Sequence, residues 1–155
     1  TTVKLLFPIL RRTEEGVVVH VSDAQPTDDG AGVTVLIVDD EESVCLIAEE
    51  ILRKTGYRTL QARNGVEAIE TFQTYADDIS VAILDLTMPD MTGLEVYERF
   101  RNIRPDVPVI IASGYHKGAV ISEFAGKPYL DFVHKPFAPH ELVDRVKFSM
   151  RKKAR

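Results

Sequence analysis

From Val33 to the end of the chain, short apolar runs alternate with segments of helical spacing. Val33–Val38 is an unbroken run of β-branched and apolar residues, which is typical of a strand buried on both faces. Ser43–Thr55 follows with apolar residues at helical intervals, and Gly56 ends it. An apolar run followed by a segment of helical spacing recurs along the rest of the chain, which predicts five strands alternating with five helices. Parallel strands joined in this way need right-handed helical crossovers, so we expect a doubly wound α/β sheet.

Local signals bound the other predicted elements. Asn64 and Thr92 each precede a Glu three residues later, which predicts a helix start, and Pro139 predicts the first turn of the last helix. The other predicted strands are Tyr57–Ala62, Val81–Leu86, Pro108–Ala112 and Asp131–His134, and the other predicted helices run over 64–75, 92–103, 117–125 and 139–151. In sheets of this class, ligands bind beyond the carboxyl ends of the strands.

Residues 1–32 differ from the rest of the chain. Val3–Phe7 and Val17–Val21 are candidates for short strands, and the stretch rich in Asp, Pro and Gly that follows them is typical of a linker. The sequence opens at Thr1 rather than Met, as a fragment of a longer protein would. We therefore expect a remnant and linker over 1–32 and one domain over 33–153.

Charge and cysteine content argue against several kinds of partner. The 155 residues include 19 basic and 24 acidic side chains, a formal net charge of −5, which disfavours nucleic acid or an anionic membrane as the main partner. The apolar runs are too short for a membrane-spanning helix. The single cysteine, Cys45, cannot form an internal disulfide, which fits a reducing cytosol. We expect a cytoplasmic segment without membrane contact, whether or not its parent protein is membrane-anchored.

The predicted strand ends carry side chains suited to phosphoryl chemistry. The first strand is followed by Asp39 and Asp40, Asp85 lies at the end of the third, Ser113 follows the fourth, and Lys135 follows the fifth. Carboxylates brought together repel one another, and a hard divalent cation such as Mg²⁺ relieves this with oxygen ligands. Another carboxylate could then act as a nucleophile, while the lysine and serine hold phosphoryl oxygens. The set predicts a site for phosphoryl transfer.

Segments of the sequence resemble the motifs of response-regulator receiver domains. These segments are Val35–Glu41, Leu84–Gly93, Ile110–Gly114 and Val133–Phe137. The resemblance covers residues 33–150 and implies the flavodoxin-like strand order 2-1-3-4-5. It also implies a domain that takes a phosphoryl group from a phosphohistidine and catalyses only its own phosphorylation and dephosphorylation.

The resemblance implies roles for the acidic residues. Asp85 would accept the phosphoryl group and contribute to the metal site. Asp40 would bind Mg²⁺ directly, and Asp39 would bind it directly or through water. The main-chain carbonyl of Thr87 would be a further protein ligand, and Mn²⁺ could replace Mg²⁺.

The resemblance also implies a conformational switch. Ser113 and Lys135 would contact the bound phosphoryl group, and Ser113 would be drawn inward. Phe132 would swing in behind Ser113, although an ordinary core position for this ring is an equal alternative. Thr87 and Tyr115 occupy positions that tune dephosphorylation. Tyr115 would shield the site from water and slow that reaction, or would merely cover its loop.

The opening segment indicates what the domain is attached to. Thr1–Pro8 resembles the final strand of the ATP-binding domain of histidine kinases. The resemblance implies the C-terminal receiver of a hybrid histidine kinase, with the kinase domain of the same parent chain as its partner. A histidine phosphotransfer protein is a further candidate partner, and a weak homodimer is left open.

Two other functions fit part of the pattern. A haloacid-dehalogenase-type phosphatase also uses a strand-end Asp, Mg²⁺, Ser or Thr and Lys. Such an enzyme, however, requires two aspartates spaced Asp-x-Asp and usually has a cap insertion. Here Asp39 and Asp40 are adjacent, and no insertion is long enough. A receiver-like interaction module that is never phosphorylated would share the fold, but the complete acidic set and Lys135 argue against it.

Overall fold

The computed structural model describes residues 32–114, 122 and 124–154. The strands are β1 (Thr34–Val38), β2 (Arg58–Ala62), β3 (Ile79–Asp85), β4 (Val109–Ser113) and β5 (Leu130–His134). The helices are α1 (Glu42–Lys54), α2 (Gly65–Thr74), α3 (Gly93–Ile103) and α4 (Pro139–Lys153). Among the helices of this described part, none is long and apolar enough to cross a membrane.

Some predictions fall outside the described residues. These are the strands and linker predicted within residues 1–31, Tyr115, and most of the helix predicted over 117–125. Ser122 and Phe124 are helical, in agreement with that predicted helix. Four of the five predicted helices are therefore described, together with all five strands.

The strands form one parallel sheet in the order β2-β1-β3-β4-β5, which confirms the predicted doubly wound, flavodoxin-like fold. Helices α2 and α3 pack together on one face, and α1 and α4 pack together on the other. β1 is buried along its whole length because both faces are covered. Its side chains alternate, so that Leu36 and Val38 join the α2–α3 core while Val35 and Ile37 join the α1–α4 core.

The helix-start signals act largely as the sequence predicts. Thr92 and Glu95 form a reciprocal capping box at α3, and Pro139 occupies the first turn of α4. At α2, the Asn64 side chain accepts a hydrogen bond from the Glu67 N–H at 2.8 Å. The Glu67 carboxylate, however, accepts from the N–H of Arg63 instead of from that of Asn64. The two caps therefore differ, because Glu67 reaches one residue beyond the cap position.

β3 begins two residues before the predicted Val81. Ile79 pairs with Thr34 across a register irregularity in β1, and the hydroxyl of Ser80 accepts from the Thr34 N–H at 3.3 Å. The guanidinium of Arg104 donates to the Ile79 carbonyl at 3.0 Å. These long-range partners extend the strand, and periodicity within a single segment contains no information about them.

Candidate functional site

The carboxyl ends of four neighbouring strands bring the predicted site residues to one edge of the sheet. Asp39 follows β1, Asp85 ends β3, Ser113 ends β4 and Lys135 follows β5. Asp39, Asp85 and Ser113 are almost completely buried, whereas Asp40 is exposed. The edge is therefore a cluster of charged groups set into the protein rather than a set of solvated loop residues.

Lys135 connects the two buried carboxylates. Its Nζ donates to Oδ1 of Asp85 at 3.0 Å and also to Oδ2 of Asp39. The lysine side chain passes from the end of β5 across β4 to reach β3 and β1. The Lys135 N–H donates to the carbonyl of Ser113 at 2.8 Å, which holds the start of this loop against β4.

The remaining contacts of Asp39 fix its carboxylate. Oδ1 accepts from the N–H of Glu41 at 2.9 Å, while Oδ2 accepts from Lys135. The Asp39 carbonyl accepts from the thiol of Cys45 on α1 at 3.4 Å. Both carboxylate oxygens therefore have partners, and the first turn of α1 positions the residue.

The carboxylates fit a divalent cation. One oxygen from each of Asp39, Asp40 and Asp85 lies within 4.8 Å of the other two. Oxygen donors of this kind are what Mg²⁺ prefers, and an open side leaves room for the waters that it retains. Asp40 is the exposed member and lines the cleft, so a cation could reach the cluster from solvent.

Burial and charge shift the pKa values of the central pair. Burial raises the pKa of Asp85 to about 6, and the charge of Asp39 acts in the same direction, while the hydrogen bond from Lys135 opposes it. Burial alone would lower the pKa of Lys135, but its hydrogen bonds to Asp39 and Asp85 and the charges of these two carboxylates together outweigh burial and raise it. Lys135 is therefore protonated at neutral pH.

The cluster lies in an open cleft of about 680 Å³. The N–H of Thr87, which also lines the cleft, donates to the Asp85 carboxylate. Val44, Ile47 and Phe137 contribute apolar side chains to the lining of the cleft. The cleft is open, so a group attached to a larger molecule could reach Asp85 past these apolar side chains.

Of the predicted switch residues, Ser113 lies at the same sheet edge as the carboxylates, whereas Phe132 does not. Ser113 pairs with His134 between β4 and β5, and Phe132 pairs with Ile111 two residues earlier. Phe132 is partly buried and packs against the α2–α3 core rather than lining the cleft. Tyr115 lies outside the described residues.

Two residues that support the site were not singled out from the sequence. Asp90 accepts from the N–H groups of Gly65 and Val66 at 2.9 and 3.4 Å, which ties the loop after β3 to the start of α2. Gly93 lies so close to β3 that an added Cβ would be 2.5 Å from the backbone oxygen of Asp85. Both belong to the segment Leu84–Gly93 that carries part of the family resemblance, but their roles depend on contacts distant in sequence.

The buried thiol of Cys45 should be chemically inert in the folded protein. Burial raises its pKa to about 11, and the charge of Asp39 adds to this effect. We expect its labelling by a thiol reagent at pH 8 to be at least about 1000-fold slower in native buffer than in denaturant, because reaction requires unfolding. Absorbance at timed intervals measures the rate, and the denatured sample provides the one-thiol endpoint. Rapid stoichiometric labelling of the native protein would contradict this prediction.

Comparison with known proteins identifies the family. The sequence model described as "Response regulator receiver domain" matches residues 35–147. The chain belongs to the response-regulator receiver family. This receiver domain is 33% identical over 116 residues to the chemotaxis protein CheY of Thermotoga maritima, covering 74% of this chain and 95% of that protein. It is 34% identical over 113 residues to sporulation initiation phosphotransferase F of Bacillus subtilis, covering 73% and 90% of the two chains.

A sensor kinase matches a larger share of the chain. Identity to the sensor kinase CckA of Brucella abortus is 29% over 157 aligned positions, covering 98% of this chain and 17% of the kinase. The chain thus spans less than a fifth of that relative. Solved structures include the receiver domain of the hybrid histidine kinase CckA, with a TM-score of 0.65, 30% identity, and coverage of 76% of this chain and 98% of that one. CheY4 of Vibrio cholerae gives a TM-score of 0.71 at 26% identity, covering 77% of this chain and 99% of that one.

Proposed function

We propose that this receiver domain of two-component signalling accepts a phosphoryl group from a histidine kinase on Asp85. The observation that carries the proposal is the contact of the Lys135 ammonium with both Asp85 and Asp39 at the base of the cleft. Asp85 is the only one of these carboxylates that ends the central strand β3, and the Thr87 N–H and Lys135 both orient it. Asp85 is thus held by fixed donors that line the same cleft.

The transfer requires little of the protein beyond positioning and charge. A carboxylate oxygen of Asp85 forms a bond to phosphorus as the bond from phosphorus to the donor imidazole nitrogen breaks, and the electron pair leaves with the imidazole. Lys135 stabilises the charge on the phosphoryl oxygens, and Ser113 would add its hydroxyl. Because the pKa of Asp85 is about 6, the nucleophilic carboxylate is the major form at neutral pH.

Asp39, Asp40, Asp85 and the carbonyl of Thr87 would hold Mg²⁺, with Mn²⁺ as a substitute. Such an ion neutralises part of the charge that gathers on the phosphoryl oxygens. The proximity of the three carboxylates supports this assignment, because their mutual repulsion favours binding of a cation. The two hydrogen bonds of Asp39 are compatible with a role through water or with direct ligation.

Phosphorylation would be read out through β4 and β5. Ser113 would move toward the phosphoryl group, and Phe132 would follow it along the same face of the sheet. The register supports this path, since Ile111 and Ser113 on β4 lie opposite Phe132 and His134 on β5.

We further propose that the domain comes from a hybrid histidine kinase. The alignment with the sensor kinase CckA covers 98% of this chain, so it reaches into the residues that precede the receiver. The donor would then be the kinase domain of the same parent chain in the cytoplasm, and a histidine phosphotransfer protein is a candidate acceptor. The short resemblance of Thr1–Pro8 to the end of a kinase ATP-binding domain supports the same origin.

Intact mass after incubation with acetyl phosphate tests the phosphorylation. We expect the mass of one phosphoryl group to be added in the presence of Mg²⁺, and no addition in EDTA or in the Asp85→Asn variant. This substitution keeps the shape of the side chain, so a folded but unlabelled variant identifies the acceptor.

Two outcomes would overturn the proposal. Labelling that persists in Asp85→Asn would place the acceptor elsewhere. Absence of labelling by acetyl phosphate and by a purified hybrid histidine kinase would favour an interaction module that is never phosphorylated.

A further inference from the structure

An aromatic pair links the segment before β5 to the strand that delivers Lys135. The rings of Phe124 and Phe132 lie with their centroids 5.4 Å apart at an interplanar angle of 80°. Phe124 is only 4% exposed and belongs to the α2–α3 core. Phe132 is partly buried and packs against the same core. The edge-to-face geometry is one that aromatic pairs prefer.

The position of Phe132 makes this contact relevant to the site. Phe132 lies three residues before Lys135, whose ammonium contacts Asp85 and Asp39. In the parallel register, Phe132 lies opposite Ile111, two residues before Ser113 on the same strand. A change in the orientation of this ring would therefore affect both β4 and β5. Ser113 and Lys135, the proposed phosphoryl contacts, lie at the ends of these two strands.

Packing determines the orientation of the Phe132 ring, because a phenylalanine side chain cannot form a hydrogen bond through a polar group. A tyrosine here could fix its orientation through a hydrogen bond from its hydroxyl, but Phe132 has no polar atom in its side chain. Its orientation therefore depends on which neighbours it contacts and on their shape. Phe124 presents a defined contact of this kind, because its buried ring meets the Phe132 ring edge-to-face.

We propose that Phe124 is a positioning residue that holds the ring of Phe132 in one orientation. This proposal rests on the proposed function, because it requires the Phe132 ring to change orientation when Asp85 is phosphorylated. Phe124 itself does not line the cleft that holds the carboxylates. It acts by removing intermediate orientations of Phe132, so that movement of the ring requires loss of a specific contact.

The side-chain rotamer of Phe132 can be measured directly. Three-bond couplings to the aromatic Cγ in ¹³C,¹⁵N-labelled protein report the χ1 population, and a Phe132→Leu sample assigns the signal. The couplings are compared in wild type, Phe124→Leu and Phe100→Leu, before and after acetyl phosphate with Mg²⁺. Phe100 is a matched control, because it is fully buried in the same core and stacks on Phe72 with centroids 3.9 Å apart. Phe124→Met is a second ring-removing variant if Phe124→Leu does not fold.

We expect one dominant rotamer in wild type and in Phe100→Leu, and averaged couplings in Phe124→Leu. The change on phosphorylation should be about threefold smaller in Phe124→Leu, given the usual strength of such aromatic pairs. A single rotamer in Phe124→Leu, or equal averaging in Phe100→Leu, would overturn the proposal. If wild type takes up no phosphoryl group, the proposed function fails, while the couplings measured without acetyl phosphate still decide the role of Phe124.

Discussion

Lys135→Met is expected to lower the free energy of unfolding by about 3 kcal/mol in metal-free buffer at pH 7. The side chains of Asp39 and Asp85 are only 3% and 7% exposed, and both accept hydrogen bonds from the Lys135 ammonium. Methionine fills the space without supplying charge, so two buried carboxylates would face each other without this cation. Urea denaturation followed by circular dichroism measures the change.

A double variant separates loss of charge from loss of packing. Asp39→Asn combined with Lys135→Met removes one of the two repelling charges, so we expect it to recover at least half of the lost stability. Millimolar Mg²⁺ should also reduce the loss in Lys135→Met, because a cation that binds only the folded protein stabilises it. A single variant as stable as wild type, or a double variant no more stable than the single one, would show that the ammonium does not hold this cluster together.

Gly93→Ala is expected to destabilise the fold by about 2–3 kcal/mol, because there is no room for a Cβ at this position. The added atom would lie 2.5 Å from the backbone oxygen of Asp85 and 3.0 Å from Cα of Leu86. Both are backbone atoms at the point where the chain leaves β3, so relief requires a backbone shift there. The same shift would displace Asp85, and we expect slower labelling by acetyl phosphate as well as a lower midpoint in urea.

Gly114→Ala provides the matched control for stability. Among the residues that the structure describes, a Cβ at Gly114 would meet nothing within 4 Å, although this glycine lies at the same edge of the sheet. We expect its unfolding midpoint to match that of wild type. Equal stability of Gly93→Ala and Gly114→Ala would mean that the loop after β3 can move at little cost, contrary to this prediction.

The local pattern of the chain predicts most of the fold, because each signal acts within a few residues. Buried runs such as Val33–Val38 and cap residues such as Asn64 and Thr92 mark elements that the structure confirms. The proximity of the strand-end residues could be predicted to the same degree, since parallel strands place their carboxyl ends at one edge. Asp39, Asp85 and Lys135 meet there because each directly follows or ends a strand.

The sequence by itself determined the alternation of strands and helices and the residues at the strand ends. Only the tertiary structure decided which of these residues touch, such as Lys135 reaching Asp39 across β4 and β3. It also decided that Gly93 must lack a side chain and that Phe124 packs on Phe132. The reason is that hydrophobic spacing and capping are properties of neighbouring residues, whereas these contacts depend on how strands distant in sequence are ordered and how their covering elements pack.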